Sequence, residues 1–379
     1  MRWYTSRLGD LLTLKRGHDL PDSLRKDGDV PVVSSSGITG RHGEYKATAP
    51  GVVTGRYGTI GEVFFVEENY WPLNTALYVA DFKGNDPRFV AYLLRNLLRN
   101  YQSDKAAVPG VNRNVLHELK VRCPDKKAQR RIAEILSAYD DLIDNNRRRM
   151  ALLEEGARQL YREWFVHLRF PGYEHTRITC GVPERWEMRP LVSCAAFRSG
   201  GTPSKSRAEY WEGEIPWVSS GEMSETRIYD TPLHVSPEGA DVGSRLVARD
   251  TILVVVRGMS LAKEFRLATV AREMAFNQDL KALECRDGID SLFLFHSLLD
   301  QRDGIRELST EASHGTKKLD TAVLERLPIL VPELRQQRLF RETVASSFAQ
   351  RENLFQQNTR LRTARDLLLP PLLTGEIAV

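Results

Sequence analysis

The chain is written twice, and each copy runs out into a long helical heptad pattern. Leu116-His117-Glu118-Leu119-Lys120-Val121-Arg122-Cys123-Pro124 and Leu324-Glu325-Arg326-Leu327-Pro328-Ile329-Leu330-Val331-Pro332 share two leucines and a closing proline at one spacing, 208 residues apart. The same offset carries Gln129-Arg130 onto Gln337-Arg338. Upstream the echo continues at smaller offsets, as insertions require. Pro31-Val32-Val33-Ser34-Ser35-Ser36-Gly37 recurs as Pro216-Trp217-Val218-Ser219-Ser220-Gly221. Arg56-Tyr57-Gly58 after Val52-Val53 recurs as Arg257-Gly258 after Val254-Val255-Val256, and Asn74-Thr75-Ala76-Leu77 answers Asn277-Gln278-Asp279-Leu280. Their common order makes the chain a tandem duplication.

Each half opens with β-branched runs broken by Gly, Pro and Ser, such as Gly51–Ile60 and Thr251–Gly258, which predict strands joined by turns. A shorter helix is predicted over Pro87–Tyr101 in the first half and Ile289–Leu299 in the second. The first long helix then carries a seam of Ile132, Leu136, Tyr139, Ile143, Asn146, Met150, Leu153, Ala157, Leu160 and Trp164. Its steps alternate between four and three residues, the mark of a coiled-coil face. The same register in the second helix falls on Phe340, Val344, Ser347, Arg351, Leu354, Asn358, Leu361, Arg365 and Leu368, with Phe348 and Phe355 at its margin. Neither helix is apolar all round, so each needs a partner, and the other is the nearest. From Ile132 to Trp164 the helix spans about 50 Å, the length of about 15 base pairs of duplex. Modules at its two ends have the spacing to address half-sites one turn apart, roughly 34–36 Å.

The expected fold is therefore α/β (α+β) domains in tandem duplication, joined by two long antiparallel coiled-coil helices with pseudo-twofold symmetry. The segments are a first domain over 1–125, a central helix over 126–169 and a linker over 170–185. A second domain over 186–332, a C-terminal helix over 333–369 and a tail over 370–379 complete the chain. Phe170-Pro171-Gly172-Tyr173 and Gly181-Val182-Pro183 mark the linker, and Leu369-Pro370-Pro371 is expected to stop the last helix. Antiparallel alignment brings Asn146 within about half a heptad of Asn358, where the two either pair or each reach water at the seam's edge.

Composition narrows the function. A net charge of +4 permits nucleic-acid binding without announcing it, so partners are expected to supply much of any phosphate neutralisation. Cys123, Cys180, Cys194 and Cys285 stand far apart, which argues against a disulfide framework or zinc site. No apolar run reaches membrane-spanning length, and Met1-Arg2-Trp3-Tyr4 lacks a signal peptide's apolar stretch, so a cytoplasmic location is expected. The N/D-P-P-Y/F loop of amino-methyltransferases and the GxxxxGK[ST] phosphate loop are both absent. Gly55-Arg56-Tyr57-Gly58-Thr59-Ile60-Gly61 is spaced GxxGxxG and reads as a tight strand connection, not a dinucleotide site. Asp279-Leu280-Lys281 superficially fits a nuclease's carboxylate and lysine, a three-residue charge pattern that arises often on half-exposed strands. Catalytic and metal sites are thus expected to be missing. A Mg²⁺-dependent nuclease and a stand-alone coiled-coil scaffold are the alternatives.

Several segments resemble the specificity subunits of type I restriction–modification systems, over essentially the whole chain. They are Pro124-Asp125-Lys126-Lys127-Ala128-Gln129-Arg130-Arg131-Ile132-Ala133-Glu134-Ile135-Leu136 leading into the first helix and Glu163-Trp164-Phe165, followed by Phe170-Pro171-Gly172, leaving it. Pro183-Glu184-Arg185-Trp186-Glu187 resembles the start of a second target-recognition domain, and Leu367-Leu368-Leu369-Pro370-Pro371-Leu372-Leu373-Thr374-Gly375-Glu376-Ile377 the C-terminal signature. The family more often has Glu-Gln where Ala128-Gln129 stands, and lysine where Pro371 stands. The resemblance implies a full-length, non-catalytic subunit with two target-recognition domains, each reading half of a bipartite site in double-stranded DNA. It implies two methyltransferase subunits docked on the helices, with restriction/translocase subunits beyond them. Cofactors are expected on the partners only: S-adenosylmethionine, ATP and Mg²⁺.

Base reading needs donors and acceptors on loops that enter a groove. The candidates are Arg56, Tyr57, Asn74, Asn112, Arg113 and Asn114 in the first half. In the second they are Lys205, Ser219, Arg257, Asn277, Gln278, His314, Lys317 and Lys318. Positions that recur in both halves, Arg56/Arg257 and Asn74/Asn277, are expected to position backbone or phosphate, since the two domains should read different bases. The loops Asn112-Arg113-Asn114 and His314-Gly315-Thr316-Lys317-Lys318, read as having no counterpart in the other half, are the expected readers. Arg147-Arg148-Arg149 lies beside the seam and is expected to face solvent, DNA or an acidic partner patch.

Overall fold

In both halves an aspartate starts the short helix and a glutamine 208 residues from its twin holds that start in place. Asp86 caps the helix Pro87–Arg99 by accepting from Phe89 N (2.9 Å), and Asp290 caps Ser291–Asp300 by accepting from Leu292 N (2.9 Å) and Phe293 N (3.2 Å). Gln129 is buried; its Oε1 accepts from Asp86 N (3.0 Å) and its Nε2 donates to Asn85 Oδ1 (2.8 Å) and to Pro124 O (3.1 Å). Gln337 is buried likewise, accepting from Asp290 N (2.8 Å) and donating to Pro332 O (2.9 Å) and Gly288 O (3.2 Å). A buried amide with all its partners made is costly to replace, so the repeat is kept in three dimensions by its polar groups as well as its apolar ones.

The computed structural model describes residues 2–56, 61–99, 110–312 and 316–379. It divides into two compact units, one running to Arg149 and including Asn353–Val379, the other Met150–Glu352. Each therefore takes in a globular module and the helix segments that pack with it. In the first unit a four-stranded antiparallel sheet has the order Thr13–Arg16, Ala76–Asp81, Gly51–Gly55, Val63–Val66. A smaller sheet sets Val30–Ser34 between Gly37–His42 and Trp71–Pro72, the last pairing in parallel. Gly51–Gly55 is buried throughout, as a central strand covered on both faces must be. Val52, Leu77, Phe89, Val90 and Leu94 share one core with Ile132, Leu136, Leu369, Leu372 and Leu373 of the long helices.

The second unit repeats the plan at larger size. Ile252–Val255 lies buried in a five-stranded sheet with Ala195–Ser199, Leu280–Cys285, Leu267–Val270 and Arg227–Ile228. A four-stranded sheet orders His234–Val235, Ile215–Val218, Met274–Phe276 and Leu246–Val247. Its core joins Ile252–Val255, Phe293, Leu294 and Leu298 to Tyr161, Trp164, Phe340 and Val344 of the long helices. In both units the strand that leads into the recognition module pairs with the strand before the long helix: Trp3–Arg7 with Lys120–Pro124, and Glu187–Pro190 with Pro328–Val331.

The long helices are Lys126–Tyr161, continued by a π-turn at Arg162–Val166, and Leu334–Thr374. Within the first unit Asp140 meets Arg365 and Asn146 meets Asn358, so the pair runs antiparallel. Within the second, Glu154 meets Arg351 (3.0 Å) and Tyr161 meets Phe340, with the same sense. Ile132, Leu136, Ile143, Asn146, Ala157, Trp164, Phe340, Val344, Leu354 and Asn358 are buried as the heptads predict. Tyr139, Met150, Leu153, Leu160, Leu361 and Leu368 are half-buried. Both arginines that interrupt the second seam are answered by carboxylates of the first helix, which makes their apparent misplacement a pairing rule. Arg147-Arg148-Arg149 is exposed, with Arg147 bound to Asp144 (2.9 Å).

One boundary differs from expectation. Pro370-Pro371 does not stop the last helix, which runs on to Thr374. The two prolines remove two backbone donors, but Leu369, Leu372 and Leu373 are buried in the first unit's core and hold the extra turn there. The helix ends instead at Gly375, whose φ of +79° and closeness to the Trp3 ring (2.7 Å from a Cβ built there) exclude a side chain.

Asn146 Nδ2 donates to Asn358 Oδ1 (2.9 Å), and Asn358 Nδ2 reaches Ile143 O (3.3 Å); both side chains are buried. Of the two expectations for this pair, the structure takes pairing, through one hydrogen bond from Asn146 to Asn358. Asn146→Leu alone should destabilise by about 1–3 kcal/mol, because Asn358 is left unsatisfied. The double leucine variant should recover most of that loss. A double-mutant cycle on chemical unfolding measures the coupling, and independent effects would show that the pair does not act as one.

His296 is buried in a cage of aromatic rings, stacked on Tyr161 (centroids 5.9 Å) and edge-on to Phe340 (5.5 Å), Phe295 and Phe348. Neither ring nitrogen has a hydrogen-bond partner among the described residues. Burial, reinforced by the charge of Arg351, lowers its pKa from 6.5 to about 3. Between those values the unfolded chain binds the extra proton, so this contribution to stability is full above about pH 6.5 and is lost as pH falls. The loss approaches ~1.4 kcal/mol per pH unit. Melting temperatures taken from pH 7 to pH 4.5 should fall less steeply in His296→Phe than in the wild type; parallel curves would contradict this assignment.

Candidate nucleic-acid interface

In the second unit, backbone hydrogen bonds lace four loops into one edge. Asn277 N donates to Val218 O (2.9 Å), Val256 N and Arg257 N to Asp279 O (2.9 and 3.3 Å), and Leu319 N to Val256 O (2.9 Å). The loop leading to Lys205 joins them through Gly201 N to Phe276 O (2.9 Å) and Thr202 Oγ1 to Gln278 Oε1 (2.7 Å). Ser219, Arg257, Gln278, Lys317 and Lys318, scattered over about a hundred residues of sequence, thus belong to one cluster of strand ends, and exposed Lys205 follows Thr202 by three residues.

At its centre is a three-stranded sheet in which Arg257–Gly258 pairs with Lys317–Lys318, and that strand with Thr310–Glu311. The register sets Arg257 directly opposite Lys318, with Thr310 on Lys318's other side. Like charges directly opposed weaken a sheet. Among the described residues neither Arg257 nor Lys318 has a carboxylate in ion-pair range, and both are exposed. Such a pair is what a polyanion would neutralise.

Other candidates turn inward. Asn277 is buried, its Oδ1 accepting from Asp279 N (3.1 Å) and its Nδ2 donating to Asp279 Oδ2 (3.4 Å), so it builds its own turn and cannot reach a ligand. Ser219 donates its hydroxyl to Glu222, whose carboxylate also accepts from Ser219 N (2.9 Å). Asp279 and Lys281 are engaged by different partners, Asp279 Oδ2 accepting from Asn277 Nδ2. Lys281 Nζ donates to Ser199 Oγ (2.5 Å), and no group of His, Cys, Asp or Glu among the described residues has a metal site's geometry.

The first unit has the matching edge. Leu73 N donates to Val33 O (2.8 Å), Asn74 N to His18 O (3.0 Å), Arg56 N to Thr75 O (3.0 Å), and Val111 N to Arg56 O (2.9 Å). Val111 and Leu319 stand at the 208 offset and make comparable bonds, to Arg56 O and to Val256 O, the latter one residue before the sequence match of Arg56 to Arg257. Asn74 donates its amide to Asp19. Asn112 is exposed, yet its Oδ1 caps the helix Arg113–Glu118 through Asn114 N (3.0 Å), as Asp320 caps Thr321–Glu325 through Ala322 N (3.0 Å). The expectation that Asn112 belongs to a loop without a counterpart is therefore corrected. Asn and Asp share the capping role, and the change of residue type hid the match. Arg113 and Asn114 remain exposed beside it, while Tyr57 and His314 lie outside the described residues. Thr202, His18, Asp19 and Met259 were not among the sequence candidates. Of these, only the Gly200-Gly201-Thr202-Pro203-Ser204 run carried a turn signal.

Comparisons with known proteins agree with this architecture. The profile of the type I restriction modification DNA specificity domain matches residues 2–155 and again 183–345. The HindI specificity subunit of Haemophilus influenzae is 24% identical over 340 residues, covering 73% of each chain. The MjaIX specificity subunit of Methanocaldococcus jannaschii is 24% identical over 291 residues, covering 73% of this chain and 65% of that one. The EcoR124I/EcoR124II specificity subunit of Escherichia coli is 27% identical over 153 residues, 40% of this chain and 38% of its own length. The crystal structure of a type I S subunit from M. genitalium aligns over 98% of this chain and 96% of that one, with a TM-score of 0.52 and 17% identity. With two tandem matches spanning most of its length, the chain belongs to the family of type I restriction–modification DNA specificity proteins.

Proposed function

We propose that this chain chooses the DNA sequence on which a type I restriction–modification complex acts, and that it performs no chemistry itself. Each recognition domain reads one half of a bipartite site through its loop edge. The observation that carries this reading is the opposed pair Arg257 and Lys318, a mildly destabilising arrangement that phosphates or guanine edges would relieve. In the first domain Arg56, Arg113 and Asn114 occupy the corresponding edge. Two methyltransferase subunits, carrying S-adenosylmethionine, dock on the long helices, whose surfaces leave Leu142, Leu152 and Leu367 exposed. Restriction subunits add ATP and Mg²⁺. The absence of an amino-methyltransferase loop supports this division of labour.

Lys318→Thr should separate function from stability. Removing the like-charge opposition should stabilise the fold by about 0.2–1 kcal/mol in chemical unfolding. The complex with its methyltransferase should bind its target more weakly, with a shallower dependence of affinity on salt. Unchanged affinity and salt slope would remove Lys318 from the interface. Adenine methylation should need both this chain and a separate methyltransferase. Exchanging residues 186–332 for another family member's domain should alter one half-site; methylation by this chain alone, or a change in both half-sites, would contradict the proposal.

A further inference from the structure

Met259 is more exposed, at 77%, than any other large apolar side chain among the described residues. Its position is built, because two neighbours fix it. Gly258 has a φ of +143°, a conformation that side chains rarely adopt, and turns the chain sharply at the end of the strand carrying Arg257. Leu261, two residues on, is fully buried and pins the short 3-10 turn Met259–Ala262, which packs against the Lys317–Lys318 strand. The result is an apolar tip beside Arg257, Lys317 and Lys318. Surface methionine is flexible and polarizable, and adapts to irregular apolar partners.

Within a DNA-reading edge, that tip has a restricted choice of partners. The minor groove is about 6 Å wide and is filled by a single extended segment, whereas the major groove, about 12 Å wide, admits a β-ribbon. The two-stranded ribbon of Arg257–Gly258 and Lys317–Lys318, with its turn, suits the larger groove. There the base edges offer one apolar feature, the C5-methyl of thymine, among acceptors suited to Arg and Lys. We propose that Met259 contacts a thymine methyl in the half-site read by the second domain, and so sets specificity at one base pair. The inference rests on the proposal that this edge binds DNA.

The test uses the full complex with its methyltransferase subunits and a duplex carrying its methylated site. Each thymine of the second half-site, on either strand, is replaced in turn by deoxyuridine, which lacks only the methyl. One replacement should weaken wild-type binding by about three- to fivefold, the worth of one buried methyl group. Met259→Ala should bind thymine and uracil duplexes equally, and Met259→Leu should restore the difference. If no uracil replacement affects the wild type, or Met259→Ala still responds to it, the contact is refuted. A Met259→Ala variant that loses affinity equally for matched and mismatched DNA would also refute it, indicating a wedge or a nonspecific contact. Arg257→Ala distinguishes the two levels. If it weakens binding while Met259 proves silent, only this inference falls. If neither substitution matters, the DNA-binding edge falls with it.

Discussion

The hydrogen bond between Asn146 and Asn358 lies where two amphipathic helices most need a reason to stop sliding. An apolar heptad seam alone tolerates slippage by whole heptads, since each slipped state buries similar side chains. A buried asparagine pair does not, because every slipped state leaves both amides without partners. Asp140 with Arg365 in one unit, and Glu154 with Arg351 in the other, impose the same condition on either side of it. These polar pairs fix which residues of the long helices enter each core. Ile132 and Leu136 meet Leu369 and Leu372 in one unit, and Tyr161 and Trp164 meet Phe340 in the other. The recognition modules hang from those cores through the buried glutamines Gln129 and Gln337.

The two halves keep their shared residues where the fold needs them and differ where a ligand would be read. The caps Asp86 and Asp290 and the glutamines recur in the same roles, and Val111 and Leu319 bond backbone carbonyls of the matching strand end, Arg56 O and Val256 O. The loop edges diverge: Arg257 opposite Lys318 and the exposed Met259 have no residue-for-residue twin among the described residues of the first unit. These features run against stability, which is where natural proteins place their binding groups. A net charge of only +4 is compatible with this arrangement, because a few unpaired cations on one edge act locally.

Duplication, the antiparallel seam and the family were legible in the residues themselves, because they depend on spacing along one chain: seven-residue steps, and a 208-residue echo. The seam's polar members were legible as positions but not as pairs. That Arg351 finds Glu154 and Arg365 finds Asp140 depends on the partner helix's register, which no local pattern contains. Pro370-Pro371 looked like a stop because local propensity says so, and the burial of Leu369, Leu372 and Leu373 against a distant core outweighed it. The site was legible only in part, for a similar reason. Arg257, Lys317 and Lys318 were visible as polar loop residues, yet only strand pairing set one cation opposite another. Asn277 looked the same in sequence and is buried. Sequence alone determined the repeating plan, since periodicity is a property of the chain. Tertiary structure decided which polar groups face inward and which remain free, since burial and pairing join residues that the chain keeps far apart.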